Sequence, residues 1–583
     1  GYGFTPGFED YSEMNGYGMW RTASAWYYLM WSVLASALIL LGVLFWDRGL
    51  GQNILKKLQL KSLQLNSFGK LTVFGLLIAF VFLQSFIYRQ VNEKDNFELS
   101  KDADIEAASY ERAFGFLQSK THPIYTNIDL ILDFFPQERR AEYLINSQIT
   151  HTSPIPIDSV WLSLPDHVVI QRLNIDGIDL SSALRVDEIH NMVAFKLPNG
   201  LDSSASVSVQ MNLTKRFEGF SQEEPQASLV YRGSFASIDD FLPFIGFDNT
   251  KILTENRARM EQELPRLSSL LPSLSDTAAS KRNIYRVDAS PLSGTLTMST
   301  THDQVLMGPG LIIHQEQKDE RNYTTFQIKS PTPLNWCIGT APYSIIENSG
   351  VAEVQIYHNP DHPYNSHLYQ DIVEQSIIFI QENLGNYPFE KVRLYEIPHY
   401  QEPIYAFSNG IAISEKEGWI ADTTGLKERA YLYQTTASGI SQHWVQENLD
   451  IAHVEGADML RLALPEALAL QFVYHSLGEE AVELLIEQKR QIYNKDRFSD
   501  PNGEPALLYA DGKDYLEANH GAITLYKWSK RLGFDAFNRL ILDWSQQAKP
   551  ATFESLYRNM VKGVSKENQE ELAEDFETVA SDS

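Results

Sequence analysis

His443 and Glu447 stand four residues apart in SGISQHWVQENL, a segment whose apolar spacing predicts a helix, so both side chains project from one face. His453 follows ten residues after His443, and Glu466 lies in the next helical segment. Together they offer imidazoles and carboxylates of the kind that hold zinc. Pairs four apart are also common on solvated helices, and no second histidine stands four residues from His443. The pair by itself therefore reads as a surface histidine beside a solvated glutamate. His520, next to Gly521, reads as a packing or capping residue. Asp239 and Asp240 suit an exposed turn or helix start, since two adjacent acids do not by themselves make an acid/base pair. Cys337 is the single cysteine, which excludes an intramolecular disulfide and any cysteine-rich zinc site. The sequence has no G-x-x-x-x-G-K-[S/T] loop, so the chain does not hydrolyse ATP by that machinery.

The elements that must position these residues begin with a membrane hairpin. Trp26–Trp46 and Leu71–Tyr88 carry no charge. At about 1.5 Å rise per residue they reach roughly 31 and 27 Å, enough for a bilayer core. Trp20, Trp26, Tyr27, Tyr28, Trp31, Trp46 and Tyr88 cluster at the ends as interfacial aromatics. The loop 47–70 carries Arg48, Lys56, Lys57, Lys61 and Lys70 against Asp47, so the positive-inside rule assigns it to the cytoplasm. Glu9, Asp10 and Glu13 precede the first span, and an acidic stretch follows the second. Both ends are thus expected outside, with the almost 500 residues after the second span on that side.

Length and 43% hydrophobic content predict several cores rather than one. A formal net charge of -27 argues against a nucleic-acid partner. The start at Gly1, with no cleavable n-region, suits a fragment or a processed piece. We expect an α+β multidomain chain: a membrane hairpin over 1–90, a juxtamembrane linker over 91–120, and an antiparallel, saddle-like β domain over 121–345. A thermolysin-like α/β to all-α domain follows over 346–545, then a helical acidic tail over 546–583. Alternating strands such as IYTNIDLILDFF and LSGTLTMSTTH support the β domain. LTENRARMEQELPRLSSLLPSL interrupts it as a helical or irregular insertion, broken by Pro265 and Pro272.

The order of segments resembles the aminopeptidase N and leukotriene hydrolase family of zinc aminopeptidases. SPTPLNWCIGTAPYSII looks like the strand that closes that family's β domain, and ENLGNYPFEKVRLYEIP carries its Gly-x-Tyr-Pro-Phe signature at Gly385, Tyr387, Pro388 and Phe389. FEDYSEMNGYG before a hydrophobic hairpin resembles the last membrane segments of bacterial ABC-exporter permeases fused to such a domain.

The resemblance implies a zinc helix H-E-x-x-H, a third glutamate ligand from the next helix about 18 residues on, and a later tyrosine for the oxyanion. The matching helix reads ASGISQHWVQ, registered by Ala437, Ile440 and Trp444. Ser438 and Gln442 then hold the ligand positions, Gly439 the base position, Arg461 or Leu462 the third-ligand position, and Ala518 the tyrosine's place. Tyr515, three residues away, points elsewhere on a helix. Around Phe407, IYAFSNG lacks the glutamate of the family's substrate-amine motif. Glu466 matches the third ligand only with a four-residue insertion. Serine and glutamine are poor zinc ligands, and glycine accepts no proton. The expectation is an inactive pseudopeptidase with no zinc and no other cofactor, anchored in the bacterial inner membrane with its large domain periplasmic. Its expected partners are lipid, further permease segments or subunits, a cytoplasmic nucleotide-binding ATPase, and a peptide or protein in the old cleft. An active metallo-aminopeptidase with a rearranged site (His443, Glu447, Glu466) and a structural subunit of another envelope complex are the competing expectations.

Overall fold

A computed structural model describes residues 11–18, 20–45, 67–95, 100–220, 227–361 and 363–580. The basic loop residues 47–66, Trp46, and the acids Glu9 and Asp10 lie outside the described residues. Helices α1 (Trp20–Phe45) and α2 (Ser67–Tyr88) are each long and apolar enough to cross a membrane, and they pack side by side. The first begins six residues earlier than the charge-free stretch, because Arg21 is accommodated in its exposed first turn. Leu38, Ile39, Val43, Phe74, Val81 and Phe82 face outward unpaired, as lipid-facing side chains do.

The hairpin is seated on the rest of the chain at both of its near ends. Before α1, residues 12–16 form a tight turn closed by the Ser12 and Gly16 backbones, with Gly16 at φ 66°. This turn buries Met14 and gives the Glu13 and Met14 N–H groups to the Glu415 carboxylate at 2.9 and 3.2 Å. Asn15 Nδ2 donates to the Tyr400 hydroxyl at 2.8 Å. After α2, a π-turn (Arg89–Lys94) meets the loop at Gly219 and Phe220. There Phe220 N–H donates to the Gln90 carbonyl at 3.1 Å, and the Phe220 ring packs on Phe86. Helix α3 (Ser100–Phe114) then buries Tyr110 and Phe114 against Met192 and Phe247.

The β domain centres on an eight-stranded sheet. Its order is Leu311–Lys318, Arg321–Thr332, Leu292–Thr301, Ile124–Phe135, Arg140–Thr150, Ser206–Arg216, Val168–Ile175, Ile178–Asp179. Alternation buries Leu130, Leu132 and Phe134 on one face with Leu296 and Met298. The sheet is not wholly antiparallel. Ile124–Phe135 runs parallel to Leu292–Thr301, pairing Ile128 with Gly294. The long connection between them, which contains a four-stranded sheet and the short helix α4 (Asn256–Glu261), returns the chain to the same end. Gly294 is required at that pairing, since a Cβ there would collide with the Ile128 carbonyl.

The next unit holds the sheet Ser344–Ser349, Glu353–His358, Lys391–Ile397, Gly410–Ser414, Ile404–Phe407, in that spatial order. Helix α5 (Ser366–Leu384) crosses between two parallel strands, and Ile404–Phe407 is the antiparallel edge. Lys391–Ile397 is buried along nearly its whole length, as a strand covered on both faces must be. Helices α6 (Leu426–Asn448), α7 (Leu464–Leu477), α8 (Glu479–Ser499), α9 (Ala522–Leu532) and α10 (Phe534–Ser545) follow. Beyond residue 545, α11 (Phe553–Gly563) and α12 (Lys566–Glu577) bury Phe553, Leu572 and Phe576 in the same core.

Candidate functional site

Helix α6 lies across the edge of the five-stranded sheet and forms one wall of a cavity of about 670 Å³. The other walls come from the edge strand, from α7 and α8, and from the β domain through Asp239, Asn335 and Cys337. Ile404, Tyr405 and Ala406 of the edge strand line it.

Five side chains converge at its floor. Ser438 Oγ donates to Glu466 Oε1 at 2.6 Å, and Gln434 Nε2 donates to Glu466 Oε2. Lys489 Nζ lies 2.8 Å from Glu466 Oε2 and donates to the Ala518 carbonyl at 3.1 Å. Gln442 Nε2 reaches Ser438 Oγ at 3.4 Å. Glu466, not Leu462 or Arg461, therefore faces Ser438. Leu462 lines the cavity, and Arg461 forms an ion pair with Asp458. Counting about 18 residues stops too early because the connection from α6 to α7 makes an extended detour. In it Ile451 bridges Ala551 and Ala452 bridges Asn283, and a π-turn (Met459–Ala463) then adds residues before α7 starts.

The residue at the base position is closed off by packing. A Cβ on Gly439 would stand 2.8 Å from Ile404 Cδ1 and 3.0 Å from Ile411 Cγ2. A side chain there would require the Ile404 and Ile411 methyl groups to shift. The tyrosine position, Ala518, offers only its backbone carbonyl, while Tyr515 gives its hydroxyl to Asp500 at 2.8 Å. Phe407 is buried, and its ring fills the space over Gly410.

His443 is not part of this cluster. It is fully buried on another face of α6, where Nε2–H points to the carbonyls of Gly410 at 2.8 Å and Phe407 at 3.0 Å. The Tyr387 hydroxyl donates to Nδ1 at 2.6 Å. Both ring nitrogens are spent, so the imidazole is neutral and has no lone pair for an ion. Tyr387 belongs to the G-x-Y-P-F segment, so the family-like signature here serves to hold a histidine. Glu447 is half-buried, and burial lifts its carboxyl to about 7. His453 is half-buried, and its backbone N–H bonds Arg282. Among the described residues no three His, Cys, Asp or Glu side chains gather as a metal cage. His520 stacks on Tyr493 at 4.6 Å. Asp239 pairs with the buried Arg286 at 2.7 Å, and the Asp240 carbonyl accepts from Lys215 at 3.0 Å. The buried Cys337 thiol is pushed up by desolvation.

Burial pushes His443 down from 6.5 to about 4, because charging it would strand an ion in a dry interior. A folded value below the unfolded one means stability is present above pH 6.5 and is lost as pH falls through about 4. That loss is expected to reach about 3 kcal/mol across the window. His443→Gln keeps an amide for the carbonyls but does not titrate. Denaturant unfolding of this variant between pH 6.5 and 4 should give a flatter profile than the parent; equal slopes would show that another group carries the effect.

Lys489 and Gln434 are functional positions that sequence reasoning missed. The available signal was a lysine on the apolar stripe of α8: Val482, Leu485, Lys489 and Tyr493 are buried together at helical spacing.

The architecture, a β domain followed by a gluzincin-like α/β and helical unit with its cleft at α6, is that of the M1 zinc metallopeptidases. A two-domain M1 zinc metallopeptidase variant bound to L-arginine matches with a TM-score of 0.55 at 12% identity, covering 79% of this chain and 95% of that one. The M1 zinc metallopeptidase from Deinococcus radiodurans gives 0.53 at 13%, covering 79% and 94%. A variant of it bound to a Tyr-Ser-Ala substrate gives 0.54 at 13%, covering 79% and 96%. No family model matches the chain, and no curated protein matches it by sequence. At this identity the likeness establishes the fold alone.

The zinc implied by that fold does not suit the residues present. The site offers a hydroxyl, an amide and one carboxylate already neutralised by an ammonium group. None of these is the imidazole or free carboxylate that zinc selects.

Proposed function

We propose that this chain is a non-catalytic, membrane-anchored pseudopeptidase module whose large domain lies outside the cytoplasm. In this reading it retains the peptidase cleft to hold a peptide or partner loop without cutting it. The observation that carries the reading is the Ser438–Glu466–Lys489 cluster beside Gly439, which has no side chain and is packed against Ile404 and Ile411. Hydrolysis needs a polarising ion, a base and an oxyanion donor, and each of those positions is filled by a group with different chemistry. The cleft retains a binding surface: an edge strand along one wall and the amides of Gln434, Gln442, Gln446 and Asn335 around it. Sheet edges can accept an extended segment; here the Ala406 carbonyl already accepts from Asn335 and Gln446, so the partner would pair beside Ile404 and Tyr405.

The same-side seating of both hairpin ends supports the orientation. The turn before α1 and the π-turn after α2 both rest on the large domain, so the C-terminal end of α1 and the N-terminal end of α2 lie away from it. Two helices cannot enclose a polar route. A role in an ABC-type export complex, with further permease spans and a nucleotide-binding ATPase, rests on the sequence resemblance.

The test uses the full chain, purified in nanodiscs, exposed to zinc and dialysed. We expect well below about 0.1 zinc per chain, and aminoacyl-nitroanilide turnover no faster than buffer. Zinc near one per chain with chelator-sensitive turnover would overturn the reading and establish a rearranged metallo-aminopeptidase.

A further inference from the structure

We infer that Lys489 is the resident cation of this cleft: its ammonium takes the place of a metal, bridging Glu466 and the Ala518 segment, and excludes a divalent ion from the site. This rests on the non-catalytic reading above and names the physical agent behind it. Losing two histidines would leave the third-ligand carboxylate buried and unpaired, a costly arrangement. Here Glu466 is instead saturated: Ser438 and Gln434 donate to it, and Lys489 neutralises it. The Glu466 and Lys489 side chains are only 13% and 11% exposed, so bulk water does little of this work.

The placement is also specific. Helix α8 carries Lys489 on its buried stripe, between Leu485 and Tyr493, and delivers the ammonium to the wall opposite α6. It spans the carboxylate of α7 and the backbone at the position that the resemblance assigns to the oxyanion tyrosine. Two of its three N–H donors are engaged, and the third is left for an acceptor oxygen of whatever enters the cavity. A single fixed charge of this kind orients a carbonyl by hydrogen bonding. It cannot generate a nucleophilic hydroxide as zinc does. It also repels an incoming divalent cation from Glu466.

The test restores the missing imidazoles with and without the lysine. Full chains carrying S438H/Q442H, S438H/Q442H/K489M and S438H/Q442H/K489Q are loaded with zinc, dialysed, and analysed for metal per chain by mass spectrometry. We expect zinc to stay well below stoichiometric in the first and to approach about one per chain in the two that lack the charge. K489Q keeps the reach and a hydrogen-bonding amide, so it carries the test if K489M fails to fold. Cobalt substitution adds a readout independent of zinc content, since visible bands of a tetrahedral site should appear only in the triple variants. Stoichiometric zinc in S438H/Q442H with Lys489 intact would overturn the inference. So would triple variants that fold and remain empty. Either result leaves the non-catalytic reading standing, because that reading is decided on the unaltered chain.

Discussion

Replacing Lys489 by methionine is expected to destabilise the folded chain by about 3–5 kcal/mol, the range for removing one partner of a buried ion pair. The cost arises because Glu466 would keep its charge with only the Ser438 hydroxyl and the Gln434 amide to answer it. Glu466→Gln should cost a comparable amount, this time by stranding the ammonium. The double variant K489M/E466Q has no charge to strand. It should fall short of the sum of the singles by about 2 kcal/mol or more. Denaturant unfolding of the four proteins closes the cycle. Additive losses would mean that the two groups do not sense one another, and both the ion pair and its role in the cleft would have to be abandoned.

Gly219→Val should unseat the apolar hairpin. Gly219 has φ +84°, a conformation that a β-branched residue adopts only at a cost of about 1–2 kcal/mol. Its Cβ would overlap the Gln90 carbonyl and stand 2.9 Å from the Asp95 nitrogen and 3.0 Å from Lys94 Cβ. All three belong to the turn at the end of the second membrane helix, so relief requires that turn to move away. The expected result is roughly tenfold faster tryptic cleavage at Lys94, with cleavage inside the β domain unchanged, as local opening accelerates proteolysis in proportion to its population. Unchanged cleavage at Lys94 would show that the arm at Ser12–Gly16 holds the hairpin by itself.

These two contacts mark where sequence reading stopped. The hairpin was legible, since a charge-free run of membrane length has few alternatives. Its seating was not, because Glu415 meets Glu13 and Met14 across some 400 residues, and no local pattern encodes that pairing. The alternating strands disclosed a β domain. The parallel pairing of Ile128 with Gly294 needed the path of everything between them. In the cleft, register along one helix placed Ser438, Gly439 and Gln442 together, because a helix has a fixed period. That certainty ended at the helix terminus: the irregular connection after Leu449 has no period, so Leu462 was matched where Glu466 stands. His443 and Glu447 looked like a possible metal pair from spacing alone, yet the fold engages both nitrogens of His443 elsewhere.

The apolar hairpin, the succession of β, α/β and helical units, and the side-chain chemistry along α6 are legible in the order of residues alone. These follow from composition and from short-range periodicity. That Lys489 neutralises Glu466, that the Ile404 and Ile411 side chains pack against Gly439, and that the near ends of the hairpin rest on the α/β unit at Glu415 and on the β domain at Gly219 emerges only in the folded chain. Each of those depends on atoms brought together from distant parts of the chain, and their contact energies exist only once the core has packed.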